Sequence, residues 1–359
     1  MSKRKTNSTE VVYTICPVLV ASHVAVHKGW LQAELKRAGA SLKYLWSLPH
    51  EKWLAHFTHA RSDFFRDGGN IPAIWARSEG QKTKLIGLTF SGDGGQILVR
   101  RDSDLHRVQD LKGRKIGLFK RLNPDRVDFW RATAERGILL ALKLHGLKAS
   151  DAKIVNLPVD GPDYPSTLPA NSPAELWWSK ESEISRNANV YDTEIKALLS
   201  GKVDAIYANR GRARNFQAQG DVKSIEDLSQ YPDWTLQVAN TPYTITVSED
   251  LAREHPEIVV AYLKSVIKAG RWIKENQAEA AEIFSKVIAP WAGKSLACQI
   301  ARYDFVPNLS KQNLAGIEVE KEFLLQRGYI SRDFDVQKWA DAGFLEEALG
   351  GTSKVAPAW

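Results

Sequence analysis

Cysteine is scarce in this chain: 359 residues contain two, Cys16 and Cys298. Two such distant cysteines build no disulfide framework, and a reducing compartment is the expectation. Long apolar runs are missing too. No uninterrupted stretch reaches about 18 residues, so no membrane-spanning helix is expected and no membrane partner. Metal-ligand spacing is absent: His50, His56 and His59 lack carboxylate or cysteine companions at the intervals a metal needs. No phosphate loop occurs, and Ser91-Gly92-Asp93-Gly94-Gly95 does not match the dinucleotide fingerprint. Neither a metal nor any other cofactor is therefore expected. The charge excess is slight, 49 Lys+Arg against 42 Asp+Glu for a net +7, and it favours small anions. Lys3-Arg4-Lys5 and Arg210/Arg212/Arg214 read as solvated basic faces, because no nucleic-acid-binding motif accompanies them.

What remains is an ordinary globular composition, 43% apolar and 25% charged, long enough for two lobes. Lys3-Arg4-Lys5 followed by Val11 to Val26 loosely imitates a secretory signal. Tyr13, Thr14, Pro17, Ser22 and His23 interrupt the run and no small-x-small cleavage site follows, so a cytoplasmic location is expected.

Val11–Ile15 is β-branched and aromatic and predicts a strand; Pro17 then suits a helix start, with helix to about Arg37. A helix is predicted over Glu51–Phe65, a turn over Asp67-Gly68-Gly69-Asn70, and a helix from Pro72 to Arg77. Strands are predicted at 84–89, 96–99, 116–119, 152–157 and 205–207, with helices at 129–144 and 193–199. Pro158–Ser185 reads as a long loop, and the chain after Trp234 as mainly helical. Strands alternating with helices imply an α/β fold with mainly parallel sheets.

Three segments give that fold a closer likeness. They are Val99-Arg100-Arg101-Asp102-Ser103-Asp104 leading to Asp110-Leu111-Lys112-Gly113-Arg114-Lys115-Ile116-Gly117, then Leu198-Leu199-Ser200-Gly201-Lys202-Val203-Asp204-Ala205, then His255-Pro256-Glu257 opening a long helix. In order and spacing they resemble the two-lobed type II periplasmic-binding-protein scaffold. The resemblance implies lobes each built on a mixed, mainly parallel sheet flanked by helices. The first lobe would take 11–110 and 236–359, the second 111–235, with the site in the cleft between them.

Within that scaffold, Cys16-Pro17 after the first strand, His56-Phe57-Thr58, and Arg66-Asp67-Gly68-Gly69-Asn70-Ile71-Pro72 ten residues after the histidine resemble the 2'-hydroxybiphenyl-2-sulfinate desulfinase family. That resemblance implies a catalytic Cys16, an assisting His56, and a sulfinate held by Arg66 and Gly69. It also implies a small-molecule aryl sulfinate as the partner, a monomer and no cofactor. Phe57 and Trp130 are the candidate aryl contacts. His59, Arg61 and Asp63 differ from the family pattern, which bears on the identity of the aryl group.

Read from the residues themselves, Cys16 lies near a helix N-cap, where free N–H groups and the helix dipole lower a thiol's pKa. The other reading of a free cysteine is an inert packing residue, and Cys298 is given that reading. His56 is within reach to exchange a proton with the thiol, with His59 one turn on as its rival. Arg66 offers paired donors to an oxyanion, while Gly68 and Gly69 allow close backbone approach. The competing function is a non-catalytic receptor for a sulfonate, nitrate or similar anion; a ligand-sensing regulator is a third.

Overall fold

The computed structural model describes residues 8–92, 94–122, 125–159, 169–178, 193–288 and 296–350. Its strands are β1 (Thr9–Ile15), β2 (Ala40–Tyr44), β3 (Phe64–Gly68), β4 (Thr83–Thr89), β5 (Gln96–Arg100), β6 (Lys115–Arg121), β7 (Lys153–Val159), β8 (Ala205–Ala208), β9 (Val222–Asp227) and β10 (Tyr243–Ser248). They form two five-stranded sheets with one topology, β2-β1-β3-β10-β4 and β7-β6-β8-β5-β9. β1 pairs in parallel with β2 and β3, and β6 with β7 and β8. In each sheet one strand runs against its neighbours, β10 between β3 and β4 and β5 between β8 and β9.

β5 moves the lobe boundary. It was expected in the first lobe, which was to end at 110, but its hydrogen bonds go to β8 and β9. Ile97, Leu98 and Val99 are buried in the cores of the second sheet. The first crossover therefore falls between β4 and β5, and the second between β9 and β10.

The first sheet rests on a long helix, Pro256–Glu275, whose buried face meets β1 and β3; the rings of Tyr262 and Phe65 stack at 4.2 Å. Burial of this apolar surface is the main force holding the lobe together. Two predicted helices are shorter than expected. The stretch after Pro17 divides into α1 (Ala21–His27) and α2 (Trp30–Arg37), because Gly29 takes φ +69° between them. Within 51–65 only a 3₁₀ turn at His50–Lys52 and α3 (Ala55–Thr58) are helical. His59 ends α3 at φ +56°, and Phe64 and Phe65 join the sheet beside Val12 and Tyr13. Asp67 and Gly68, expected in a turn, finish β3, and Asn70 opens α4 (Asn70–Ser78). α5 (Phe129–Leu144) follows the predicted bounds. Of the expected loop Pro158–Ser185, the first two residues end β7 and Pro173–Trp178 is helical, while 160–168 and 179–185 lie outside the described residues, as does the side chain of Cys298.

Candidate active site

The candidate residues gather at the carboxyl ends of β1 and β3. The parallel register sets Thr14 beside Arg66 and Ile15 beside Asp67, and the Cys16 N–H donates to the Asp67 carbonyl at 2.8 Å. Alternation along β1 puts Thr14 and Cys16 on one face. α3 brings His56 onto that face: its Nδ1 lies 2.8 Å from Thr14 Oγ1 and its Nε2 3.4 Å from Cys16 Sγ. Cys16 is half-buried, whereas Thr14, His56 and Arg66 are buried.

Arg66 is tied on three sides. Its Nε donates to the His56 carbonyl at 2.9 Å, Nη1 to the Gly69 carbonyl at 2.8 Å, and Nη2 to Cys16 Sγ at 3.1 Å. The guanidinium thus locks the imidazole segment, the glycine turn and the sulfur into one unit. A guanidinium has five N–H donors, so two remain for a ligand.

Gly68 and Gly69 are needed for space. A Cβ on Gly68, at φ +153°, would stand 2.3 Å from Cys16 Sγ, and one on Gly69 would stand 2.3 Å from Asn240 Oδ1. Asn240 comes from the second crossover. Its carbonyl accepts from Asn70 N–H at 3.3 Å and its Oδ1 from Ile71 N–H at 3.2 Å. The amino end of α4 is thereby closed by protein.

The thiol is not at a helix N-cap. α1 begins at Ala21 with Val20 as its cap, and the Cys16 carbonyl instead accepts from His23 Nε2 at 2.9 Å. Burial pushes the thiol up from its ordinary value, against the expected lowering; the Arg66 charge and the Gly69 N–H oppose this, and Asp67 adds to it. Burial, then the charges of Arg66, His59 and Arg126, hold His56 well below the ordinary histidine range. Asp67, buried and accepting from Ser22, is raised to about 7 by desolvation. At neutral pH the resting pair is thus a protonated thiol beside a neutral imidazole, not an ion pair.

Phe57 is 5% exposed and already covered: the Arg126 guanidinium lies 3.9 Å from its ring centre, and Phe129 stacks on it at 6.0 Å. Both come from the second lobe, where Val127 and Ala132 share a core with Ile71 and Ile74 of α4. Trp130, half-buried, joins this wall through Phe129 at 5.3 Å and stands 5.5 Å from the Arg212 guanidinium. Phe57 is therefore a contact between lobes, and Trp130 the more open aromatic. His59 is buried near Thr246 of β10, not at the sulfur, and Arg61 pairs with Asp63. Sequence reasoning missed Thr14, Asn240 and Arg126. Thr14 was findable two residues before Cys16 on a strand; the other two arrive from distant segments. Among the described residues no group of three His, Cys, Asp or Glu is placed to hold a metal ion.

No family model matches the chain. The 2'-hydroxybiphenyl-2-sulfinate desulfinase of Rhodococcus erythropolis is 26% identical over 362 residues, which cover 94% of this chain and 93% of that protein. A crystal structure of a DszB cysteine-to-serine mutant in complex with biphenyl-2-sulfinic acid matches with a TM-score of 0.71 at 22% identity, covering 96% of this chain and 100% of that one. The periplasmic sulfonate-binding protein SsuA of Methylobacillus flagellatus matches with a TM-score of 0.67 at 18% identity, over 96% of this chain and 95% of that one. The fold is accordingly the two-lobed type II periplasmic-binding-protein scaffold, and the chain resembles the desulfinase over nearly its whole length.

Proposed function

We propose that this chain is a cofactor-independent aryl-sulfinate desulfinase, cleaving the carbon–sulfur bond of 2'-hydroxybiphenyl-2-sulfinate or a close aryl sulfinate. The observation that carries the reading is Cys16 Sγ held between His56 Nε2 at 3.4 Å and Arg66 Nη2 at 3.1 Å. The likeness to the desulfinase supplies the substrate class.

A thiol pushed up by burial keeps its proton at neutral pH, which suits a donor better than a nucleophile. Cys16 gives that proton to the ring carbon bearing sulfur. The carbon–sulfur bond breaks, its electron pair stays with the ring to form the new C–H bond, and sulfur dioxide leaves. Arg66 and the Gly69 N–H then stabilise the thiolate left behind, as preorganised donors do for developing charge. Sulfur dioxide takes up water to give bisulfite and a proton, and His56, kept neutral, returns a proton to the sulfur. The sum consumes one water, so the enzyme belongs with the hydrolases of carbon–sulfur bonds. The two remaining Arg66 N–H groups hold a sulfinate oxygen against the glycine turn.

The test is incubation of the purified protein with 2'-hydroxybiphenyl-2-sulfinate. Stoichiometric sulfite and 2-hydroxybiphenyl are expected, with one deuterium at the former carbon–sulfur position in heavy water. Tight binding of an organosulfonate without any sulfite release would instead make the chain a receptor.

A further inference from the structure

Cys16 stands one residue beyond the first sheet. β1 ends at Ile15, so the ladder no longer fixes Cys16, and residues 17–19 form a bend that opens with a proline. The direction of the Cys16 side chain follows from the two soft backbone dihedrals of that residue, and hydrogen bonds tie both of its peptide groups. The Cys16 N–H donates to the Asp67 carbonyl at 2.8 Å. The Cys16 carbonyl accepts from the Val18 N–H at 2.7 Å, inside the bend, and from His23 Nε2 at 2.9 Å. His23 ties the bend to the body of the lobe: it lies in α1, is 1% exposed, and sets its ring edge-on to Phe284 at 6.4 Å. A carbonyl only accepts, so Nε2 carries the proton and Nδ1 is a bare acceptor. Nδ1 has no hydrogen-bond partner among the described residues. Burial also keeps the ring neutral, with its pKa pushed down to about 4. An unpaired buried acceptor costs stability, and an apolar side chain of similar size would not. The Cys16 carbonyl would keep its Val18 partner without the imidazole. Packing therefore explains His23 poorly. Its one hydrogen bond ends on the residue that bears the sulfur.

We propose that His23 is a positioning residue: its Nε2–H bond to the Cys16 carbonyl fixes the Cys16 backbone and so holds Sγ between His56 and Arg66. It acts through the Cys16 peptide and not on the sulfur itself. That the sulfur protonates an aryl carbon rests on the function proposed above; that His23 sets the sulfur's place does not.

Two substitutions separate the bond from the packing. His23→Leu fills a similar volume without a donor, and His23→Gln offers an amide N–H at a reach similar to Nε2. In His23→Leu the sulfur loses its place beside Arg66 and the Gly69 N–H, the two groups that oppose the effect of burial on the thiol. Alkylation by iodoacetamide, followed against pH, should then show a midpoint above that of wild type. The kcat for the aryl sulfinate should fall about 10- to 100-fold, the scale of a misplacement of up to about 1 Å. KM should stay within about threefold, because the Arg66 donors that hold the sulfinate do not depend on His23. The urea midpoint should not fall. His23→Gln should restore the wild-type kcat and thiol midpoint. An unchanged thiol midpoint in folded His23→Leu overturns the proposal, even where wild type releases sulfite. A His23→Leu that fails to fold, or unfolds at clearly lower urea, overturns it too, since His23 would then serve the fold. So does a His23→Gln that behaves like His23→Leu. A midpoint raised in His23→Leu and restored in His23→Gln, in a protein that releases no sulfite, upholds the positioning role and removes the desulfinase.

Discussion

Arg66→Lys keeps a positive charge and removes the planar fork, so it isolates what the fork does. In the wild type Nε, Nη1 and Nη2 reach the His56 carbonyl, the Gly69 carbonyl and Cys16 Sγ at 2.9, 2.8 and 3.1 Å. A single ammonium at the end of a lysine reaches one of these three points. Arg66 is 1% exposed, so bulk water does not replace the lost donors. Two of the three buried acceptors are orphaned, each at about 1–3 kcal/mol, so unfolding stability should fall by about 2–6 kcal/mol. The sulfinate oxygen loses charged donors as well. That is worth about 1.5–3 kcal/mol of transition-state stabilisation, or roughly a 10- to 150-fold fall in kcat/KM. Urea unfolding followed by tryptophan fluorescence and sulfite release by the folded variant measure the two losses separately. A variant with wild-type stability and wild-type turnover would refute the argument, because the three bonds would then be idle.

Gly68→Ala should cost turnover more than stability: a Cβ 2.3 Å from Sγ forces the sulfur aside by about 1 Å, enough for roughly a 100-fold loss in kcat, and overpacking adds about 1–3 kcal/mol of destabilisation. Equal sulfite release by both proteins would show that Cys16 can move freely. Alkylation of Cys16 by iodoacetamide, followed against pH, should have its midpoint above the ordinary thiol range, because burial outweighs the Arg66 charge; a midpoint below that range would restore a resting thiolate. Asp67 titrates at about 7 in the folded protein against 3.8 for an ordinary aspartate, so the folded state holds the proton longer and this group's contribution to stability is lost as pH rises from about 4 to about 7. Asp67→Asn removes that loss, and its stability relative to wild type should increase between pH 5 and pH 7; parallel unfolding curves would show that Asp67 ionises normally.

Much of this site is legible in the sequence because its parts are local. Cys16, His56, Arg66 and the glycine pair stand within 54 residues of one another, and the strands that align them are β-branched and aromatic. The chemistry of the thiol was not legible. A proline after a strand reads as a helix start, but the helix waits until Ala21, and the local dipole argument loses to burial. Phe64 and Phe65 extend a helical pattern on paper and pair with β1 in the fold, where tertiary contact overrides local preference. β9 and β10 were missed because Val222–Asp227 is mostly polar and Tyr243–Ser248 follows a proline in a stretch otherwise helical. Asn240 and Arg126 reach the site from 169 and 69 residues away from the α4 and Phe57 atoms they touch, a separation no local pattern encodes.

The placement of β10 has a consequence for biosynthesis. The second sheet uses strands from one unbroken stretch, Gln96 to Asp227, and contains all it needs once that stretch has left the ribosome. The first sheet does not: the gap between β3 and β4 is filled by Tyr243–Ser248. During vectorial synthesis the younger lobe is therefore free to fold before the older one is finished. Until residue 248 emerges, the strand bearing Arg66 has an unpaired edge, and Asn240 has yet to close the turn beside Cys16. Cys16 and β3 are thus synthesised well before Tyr243–Ser248, and the nascent chain carries the thiol unguarded over that interval.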